Sequence, residues 1–340
     1  MSTKTIGTRL HRFIAENEAQ YPGATGELSA LLAQIGLAGK RISRALSQAG
    51  LMDILGASGE TNVQGETQQK LDAIANDIFL DAFAYGQLVP AVVTEEMELA
   101  AYLPENEVNG KYVVFVDPLD GSSNLDVNGG VGSIFSVRRI DGGGAFTSED
   151  DLIARVSRQQ VAAGYFVFGP STMLVYTCGT ASGVQGFTLD PGIGEFLLSH
   201  PDIRIPAQGL YYAANEGNVN EWEAGPREFV KWLQSRNTPS GRPYGTRYSG
   251  ALVSDVHRIL LKGGVYFYPA THKAPDGKLR LLYEAAPLAM VLEEAGGAAS
   301  SGTQRILDVP ILRSHQRTPL YIGGTAEISA LESFVRAQTA

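Results

Sequence analysis

This 340-residue sequence predicts a layered α/β fold, α+β in the ordering of its parts. Apolar residues recur at helical spacing over the first part of the chain. Strand-like apolar runs dominate residues 91–190, and helical and strand-like stretches alternate beyond about residue 210. Such a mixture buries its apolar faces best when helices cover both faces of the sheets.

Taken in order, residues 27–54 place Leu28, Leu31, Leu32, Ile35, Ile42 and Leu46 on one helical stripe, with Gly50 at the end. A second helix is expected over about 67–85, with Leu71, Ile74, Ala75, Ile78 and Phe79 facing inward. Asp72 stands beside that stripe, so periodicity alone reads it as solvated. Strands are expected at 91–94, 112–116, 133–137 and 186–190, and the polar, glycine-rich stretch 141–150 reads as an exposed loop. Glu95 and Glu96 follow the first of these strands and read as a charged first helical turn.

Residues 159–189 carry no charged side chain, which raises the question of a membrane span. Gly164, the run 169–172 and the run 179–183 cut the stretch into pieces too short and too polar to cross, so it reads as two buried strands joined by a turn. Residues 200–209 hold two prolines among polar residues and mark a boundary between units 1–200 and 201–340. In the second unit, strands are expected at 210–214, 265–270 and 319–324, and helices at 250–264, 284–297 and 325–338.

Lys+Arg number 27 against 36 Asp+Glu, a formal charge of -9. That balance disfavours nucleic acid or an anionic membrane as partner, since both call for a basic surface. The single cysteine, Cys178, closes no internal disulfide, and the first twenty residues hold no apolar signal segment. A cytoplasmic protein is the expectation.

The stretch VVFVDPLDGSSN, residues 113–124, carries the chemistry. Pro118 restricts Asp117 to extended backbone and Gly121 permits a tight turn, so a sharp turn is expected just after Asp117. One reading stops there, because Asp-Pro and Asp-Gly are ordinary turn chemistry. On the other, Asp117 and Asp120 converge on a hard cation while the N–H groups of Gly121, Ser122 and Ser123 open a helix that holds a phosphate. Without a cation, each carboxylate within about 4 Å of a phosphate oxygen would repel it by roughly 4 kcal/mol at an effective dielectric near 20. Phosphate-monoester hydrolysis also needs accelerations up to about 10²¹-fold, far beyond what one turn supplies. Further carboxylates are therefore expected elsewhere in the chain. In KLRLLYE, extended backbone would set Lys278, Arg280, Leu282 and Glu284 on one face, either as a solvated ion-pair edge or as part of a site.

VDPLDGSSN resembles the signature of the class I fructose-1,6-bisphosphatases, within the metal-dependent, lithium-sensitive sugar and inositol phosphatases. ATGEL (24–28), NVQGETQQKLDAIAND (62–77), TEE (94–96), LDPGIGEF (189–196), NEG (215–217), YGTRYSG (244–250), DVHR (255–258), YPA (268–270) and GKLRLLYE (277–284) match the same family in order. The resemblance implies a sugar-phosphatase fold with alternating layers, αβαβα, in two subdomains. It implies a magnesium cluster of two or more ions, replaceable by manganese, on Glu66, Glu95, Asp117, Asp120, Glu284 and the Leu119 carbonyl, with Glu66 standing where many members have Asp. Asp72 and Glu96 would orient and deprotonate the attacking water, and the phosphoryl group would pass straight to it.

For substrate, the resemblance implies Asp120, Gly121, Ser122 and Ser123 as binding residues, Arg280 at the 1-phosphate, and Lys278 at the sugar and its 6-phosphate. Asn215, Tyr248 and Tyr268 would hold the 6-phosphate, with Arg247 reaching it from a neighbouring subunit of a homotetramer. Asn218 replaces a further tyrosine of the family. An inhibitory AMP site would use Ala24, Thr25, Gly26, Glu27, Leu28, Ser29, Lys111, Tyr112 and Arg139. Three functions are expected in turn: magnesium-dependent hydrolysis of fructose 1,6-bisphosphate, in gluconeogenesis or a sugar-phosphate cycle; the same chemistry on sedoheptulose 1,7-bisphosphate or an inositol phosphate; and a non-catalytic sugar-phosphate or AMP sensor.

Overall fold

The computed structural model describes residues 5–20, 24–52, 54–61, 67–84, 86–107, 110–142, 144–179 and 182–339. The first half opens with helices α1 (Leu10–Glu18) and α2 (Glu27–Gln48), a small antiparallel pair β1 (Ala57–Thr61) and β2 (Thr67–Gln69), and helix α3 (Lys70–Ala84). The long helical stripe thus ends six residues short of its expected limit. Residues 67–69 are strand, because their backbone groups pair with β1.

Eight strands follow: β3 (Ala91–Thr94), β4 (Ala101–Tyr102), β5 (Tyr112–Asp120), β6 (Val131–Ile140), β7 (Val156–Phe168), β8 (Thr172–Thr177), β9 (Val184–Asp190) and β10 (Glu195–His200). They form one sheet in the order β10-β9-β8-β7-β6-β5-β3-β4, antiparallel except between β3 and β5. Between β6 and β7, the end of the expected 141–150 loop instead starts helix α4 (Glu149–Arg155), capped by the Ser148 side chain on the Asp151 N–H at 3.1 Å.

The second half holds β11 (Tyr211–Ala213), α5 (Ala224–Leu233), β12 (Gly245–Thr246), α6 (Leu252–Lys262), β13 (Val265–Tyr268), β14 (Leu279–Arg280), α7 (Ala286–Glu294), β15 (Ala298–Ser300), β16 (Arg317–Thr318), β17 (Leu320–Gly323) and α8 (Thr325–Thr339). Its main sheet runs β12-β11-β13-β17-β15, and β14 pairs with β16 apart from it.

Three apolar clusters stack these elements. Leu31, Ile35, Phe79, Val114, Phe166 and Phe196 pack α1, α2 and α3 onto one face of the eight-stranded sheet. Ile134, Tyr165 and Val175 on the other face meet Val253 and Val256 of α6, Leu288 and Val291 of α7, and Tyr266 and Ile322 of the second sheet. Phe267 and Tyr321 on the far side of that sheet meet Phe229 of α5 and Ile328 and Leu331 of α8. The layers are therefore helix, sheet, helix, sheet, helix, as the αβαβα expectation requires. The uncharged stretch 159–189 lies in β7, β8 and β9, and no helix among the described residues is long and apolar enough to cross a membrane.

Close packing of α2 depends on Gly39, where an added methyl carbon would lie 2.2 Å from the Phe166 ring. That ring cannot retreat, since it is fully buried among Phe135, Phe168 and Phe196. Gly39→Ala should gain about 1 kcal/mol of helix propensity and lose roughly 1–3 kcal/mol to overpacking. Urea unfolding should show a net loss; a more stable variant would mean that α2 is not seated on this ring.

Candidate active site

Six segments from both halves of the chain converge on one cleft of about 440 Å³. The end of β5 supplies Asp117, Leu119 and Asp120, and the turn after it supplies Gly121, Ser122 and Ser123. The start of α3 brings Asp72, and the turn after β3 brings Glu95 and Glu96. From the second half come Tyr248, Tyr266, Tyr268, Lys278, Arg280 and Glu284. Six carboxylic acids thus share the lining with two basic side chains.

The chain does not turn directly after Asp117, as the dipeptide chemistry led one to expect. Asp117 faces Ile134 and Asp120 faces Gly132, so β5 carries one extra residue against β6 and continues as a bulge through Pro118 and Leu119. The bulge brings Asp117 and Asp120, both buried, to the same cleft. The turn comes at Gly121, whose φ of +75° is left-handed, and a Cβ there would lie 2.5 Å from Ala251. Ser122–Val127 then form a 3-10 turn rather than an α-helix.

Peptide N–H groups hold the acids in place. Asp120 accepts from Leu252 and Val253 at the start of α6, at 3.1 and 2.7 Å, and Asp117 accepts from Leu119 at 3.1 Å. Asp72 accepts from Gln69 at 2.7 Å, and Glu96 accepts from the Gln68 side chain at 2.6 Å. The face of Lys278, Arg280, Leu282 and Glu284 expected from extended backbone is not formed. Strand ends at Arg280, and a π-helical turn over Leu281–Ala285 winds Glu284 back so that it accepts the Arg280 N–H at 2.6 Å. The Arg280 guanidinium reaches the Glu95 carboxylate at 3.7 Å, both side chains being largely buried.

Burial dominates the electrostatics. It raises Asp117 well above the usual carboxylate range, helped by the charges of Glu95, Asp120, Glu284 and Glu96. Burial likewise raises Glu284, with Glu95 adding and Arg280 opposing. For Asp120, burial outweighs its two backbone hydrogen bonds and carries the carboxyl to about 7. The Tyr248 phenol is pushed up to about 12, chiefly by burial, and remains a neutral donor.

All these acids offer oxygen, the donor set of a hard divalent cation, and the two basic side chains of the lining are too few to balance six acids. The residues therefore fit a metal. Among the described residues no three acids meet as a finished coordination sphere, while Asp120, Asp72 and Glu284 accept peptide N–H groups of their own. Glu66 lies outside the described residues.

Comparison with known proteins places the chain in a family. Residues 8–201 match the family described as fructose-1-6-bisphosphatase, N-terminal domain, and residues 205–336 match its C-terminal domain. Class 1 fructose-1,6-bisphosphatases of Synechocystis sp. and Trichormus variabilis are each 48% identical, over 96% and 97% of this chain and 92% of their own length. The holo-form crystal structure of Leishmania major fructose-1,6-bisphosphatase superposes with a TM-score of 0.89 at 40% identity, covering 96% of this chain and 99% of that one. The T-state structure of the same enzyme gives 0.84 at 39% identity, over 97% and 99%. The chain belongs to the fructose-1,6-bisphosphatase family.

This fructose-1,6-bisphosphatase family member gathers most of the expected site residues, with exceptions. Asn215 begins a 3-10 turn and does not line the cleft, while Arg247, expected to serve a neighbouring subunit, lies over the Tyr211 ring at 5.3 Å. Asp72 is 4% exposed, so the surface reading of its position is overturned: the helix start it occupies faces the cleft instead of water. Glu95 and Glu96 lie in a non-helical turn, not a first helical turn. The residues compared with an AMP site meet at the start of α2. There Lys111 contacts both Glu27 oxygens at 2.6 and 2.8 Å, Thr25 donates to Glu27 at 2.8 Å, and Arg139 lies 5.7 Å from the Tyr112 ring centre.

Sequence reasoning missed Gln68, Gln69 and the N–H groups of Leu252 and Val253. The last two were detectable in principle, as a helix start directly after Gly250.

Above pH 6.5 the free protein should weaken as its acids ionise. A folded Asp120 that titrates at about 7 keeps a proton that the unfolded chain, at the ordinary value of 3.8, has already released, so its contribution falls as pH rises through 7. His257, lowered to about 4 by burial, acts in the opposite sense only below its ordinary 6.5. In chelator, Tm should fall between pH 6.5 and 8.5, and Asp120→Asn should flatten the slope. A Tm that rises over this window would contradict the assigned burial.

Proposed function

We propose that this family member hydrolyses the 1-phosphate of fructose 1,6-bisphosphate to fructose 6-phosphate and inorganic phosphate. The observation that carries this is the meeting of the acid cluster, the Gly121–Ser123 turn and the Tyr248, Tyr268 and Lys278 side chains in one cleft.

On this reading the N–H groups of Ser122 and Ser123 bind the 1-phosphate, Arg280 offsets its charge, Lys278 holds the sugar, and the Tyr248 and Tyr268 hydroxyls donate to the 6-phosphate. Glu96 and Asp72 orient a water and take its proton as its oxygen bonds to phosphorus. The bond between phosphorus and the sugar O1 breaks, and that oxygen leaves as the alcohol by taking up the proton the carboxylates removed from the water. Magnesium or manganese, held by Glu66, Glu95, Asp117, Asp120, Glu284 and the Leu119 carbonyl, would offset the charge on the phosphoryl and leaving oxygens. The Asp72 and Glu96 side chains already accept hydrogen bonds from residues 68 and 69, which aims their remaining lone pairs.

We divide the chain functionally at about residue 200, with the acid-rich part before it and the sugar and 6-phosphate part after. We also propose a cytoplasmic homotetramer acting in gluconeogenesis or a sugar-phosphate cycle, in which Arg247 serves a neighbouring site. AMP, if it binds at the start of α2, must displace Glu27 from Lys111. Burial pushes the Cys178 thiol up to about 12 and keeps it protonated, so it is a poor nucleophile.

Phosphate release should be measured on fructose 1,6-bisphosphate, sedoheptulose 1,7-bisphosphate and an inositol monophosphate, with magnesium and with EDTA. Turnover of the fructose substrate should stop in EDTA, and Glu96→Gln should lower kcat by about 10²–10⁴-fold with little change in KM. Equal or faster turnover of the heptose substrate would make the enzyme a sedoheptulose or dual phosphatase. No metal-dependent turnover of any substrate would favour the sensor.

A further inference from the structure

Outside the lining of the cleft, His315 joins two of the segments that carry its acids. The imidazole Nδ1 lies 2.9 Å from the Tyr283 hydroxyl, and Nε2 lies 3.1 Å from the Glu98 carbonyl oxygen. Tyr283 is fully buried in the π-helical turn, one residue before Glu284. Glu98 follows Glu95 and Glu96 in the turn after β3.

A carbonyl only accepts, so Nε2 must carry the ring proton and Nδ1 must accept from Tyr283. Both nitrogens are then satisfied with one orientation and one tautomer. The ring meets Tyr283 edge-on, with centroids 5.8 Å apart at 69°. Its own segment is well anchored, since the Gln316 carbonyl accepts the Leu281 N–H at 2.7 Å and Ser314 N–H donates to Glu149 at 3.1 Å. A rigid ring on a rigid segment thus spans the first half's acidic turn and the second half's π-helical turn.

We propose that His315 is a positioning residue that braces the Glu95–Glu96 turn against the Glu284 turn and so sets the spacing of the acids for a divalent cation. This rests on the functional reading above, because it takes those acids as cation ligands. The ring does not line the cleft. Its effect is on how much the acid-bearing turns must rearrange when the cation arrives, and partners of this kind typically change metal affinity by about 10–100-fold.

The test is calorimetric titration of the whole, substrate-free protein with Mn²⁺, alongside Tm and steady-state kinetics. His315→Ala should weaken Mn²⁺ binding by on the order of tenfold and raise the Mg²⁺ half-saturation in parallel, leaving KM for the sugar bisphosphate near its original value. His315→Gln, which can donate to Glu98 and accept from Tyr283, should recover most of that affinity. A fall in Tm with unaltered Mn²⁺ affinity overturns the inference, leaving His315 as packing alone. If His315→Ala does not fold, Tyr283→Phe removes one hydroxyl from the same bridge and should weaken Mn²⁺ measurably; unchanged affinity there overturns the inference too. Absence of Mn²⁺ binding by the unaltered protein overturns the functional reading, and this inference with it.

Discussion

Holding several carboxylates together in a poorly solvated cleft requires something to offset their repulsion and lost hydration, and here that task falls to peptide N–H groups. Asp120, Asp117, Asp72 and Glu284 each accept at least one. A peptide N–H adds no net charge, so it fixes a carboxylate without neutralising it. The deficit of positive charge persists, and burial with mutual repulsion raises Asp117 and Glu284. A cleft built this way is stable enough to fold yet still attracts a cation.

The same bonds join the two halves of the chain. Asp120 ends a strand of the large sheet, while the N–H groups that hold it begin α6, which packs between the two sheets. Gly121 makes the approach possible, since any side chain there would meet Ala251. The Gly121–Ser123 turn, the acid pair and the helix start are thus parts of one junction. Movement of one half against the other would alter the acids directly, which gives the layered arrangement a functional consequence beyond packing.

Much of this was legible in the sequence. The strand at 91–94, the buried pair in 159–189, the helix from Glu27 and the αβαβα layering follow from apolar periodicity and from the family's motifs in order. The motifs also named Asp72, Glu95, Glu96, Asp117, Asp120 and Glu284, which the fold brings to one cleft. Local rules failed where long-range pairing prevailed. Residues 67–69 became strand because β1 lay beside them, and β5 ran through the Asp-Pro turn signal as a bulge because β6 kept pairing with it. KLRLLYE abandoned extended backbone at Leu281, where the chain wraps into α7.

What the sequence determined alone was the menu: oxygen donors without a histidine pair, a glycine where φ must be positive, and apolar stripes that demand a layered core. Those are properties of residue type and spacing, and they survive without knowledge of the neighbours. The tertiary structure decided which groups share a cleft. Periodicity placed Asp72 in water, yet packing turned it toward five other acids. His315 offered no signal at all, because its meaning lies in a phenol and a carbonyl brought to its two nitrogens from distant parts of the chain. Burial and repulsion act through space, so the ionisation of these acids is a property of the fold.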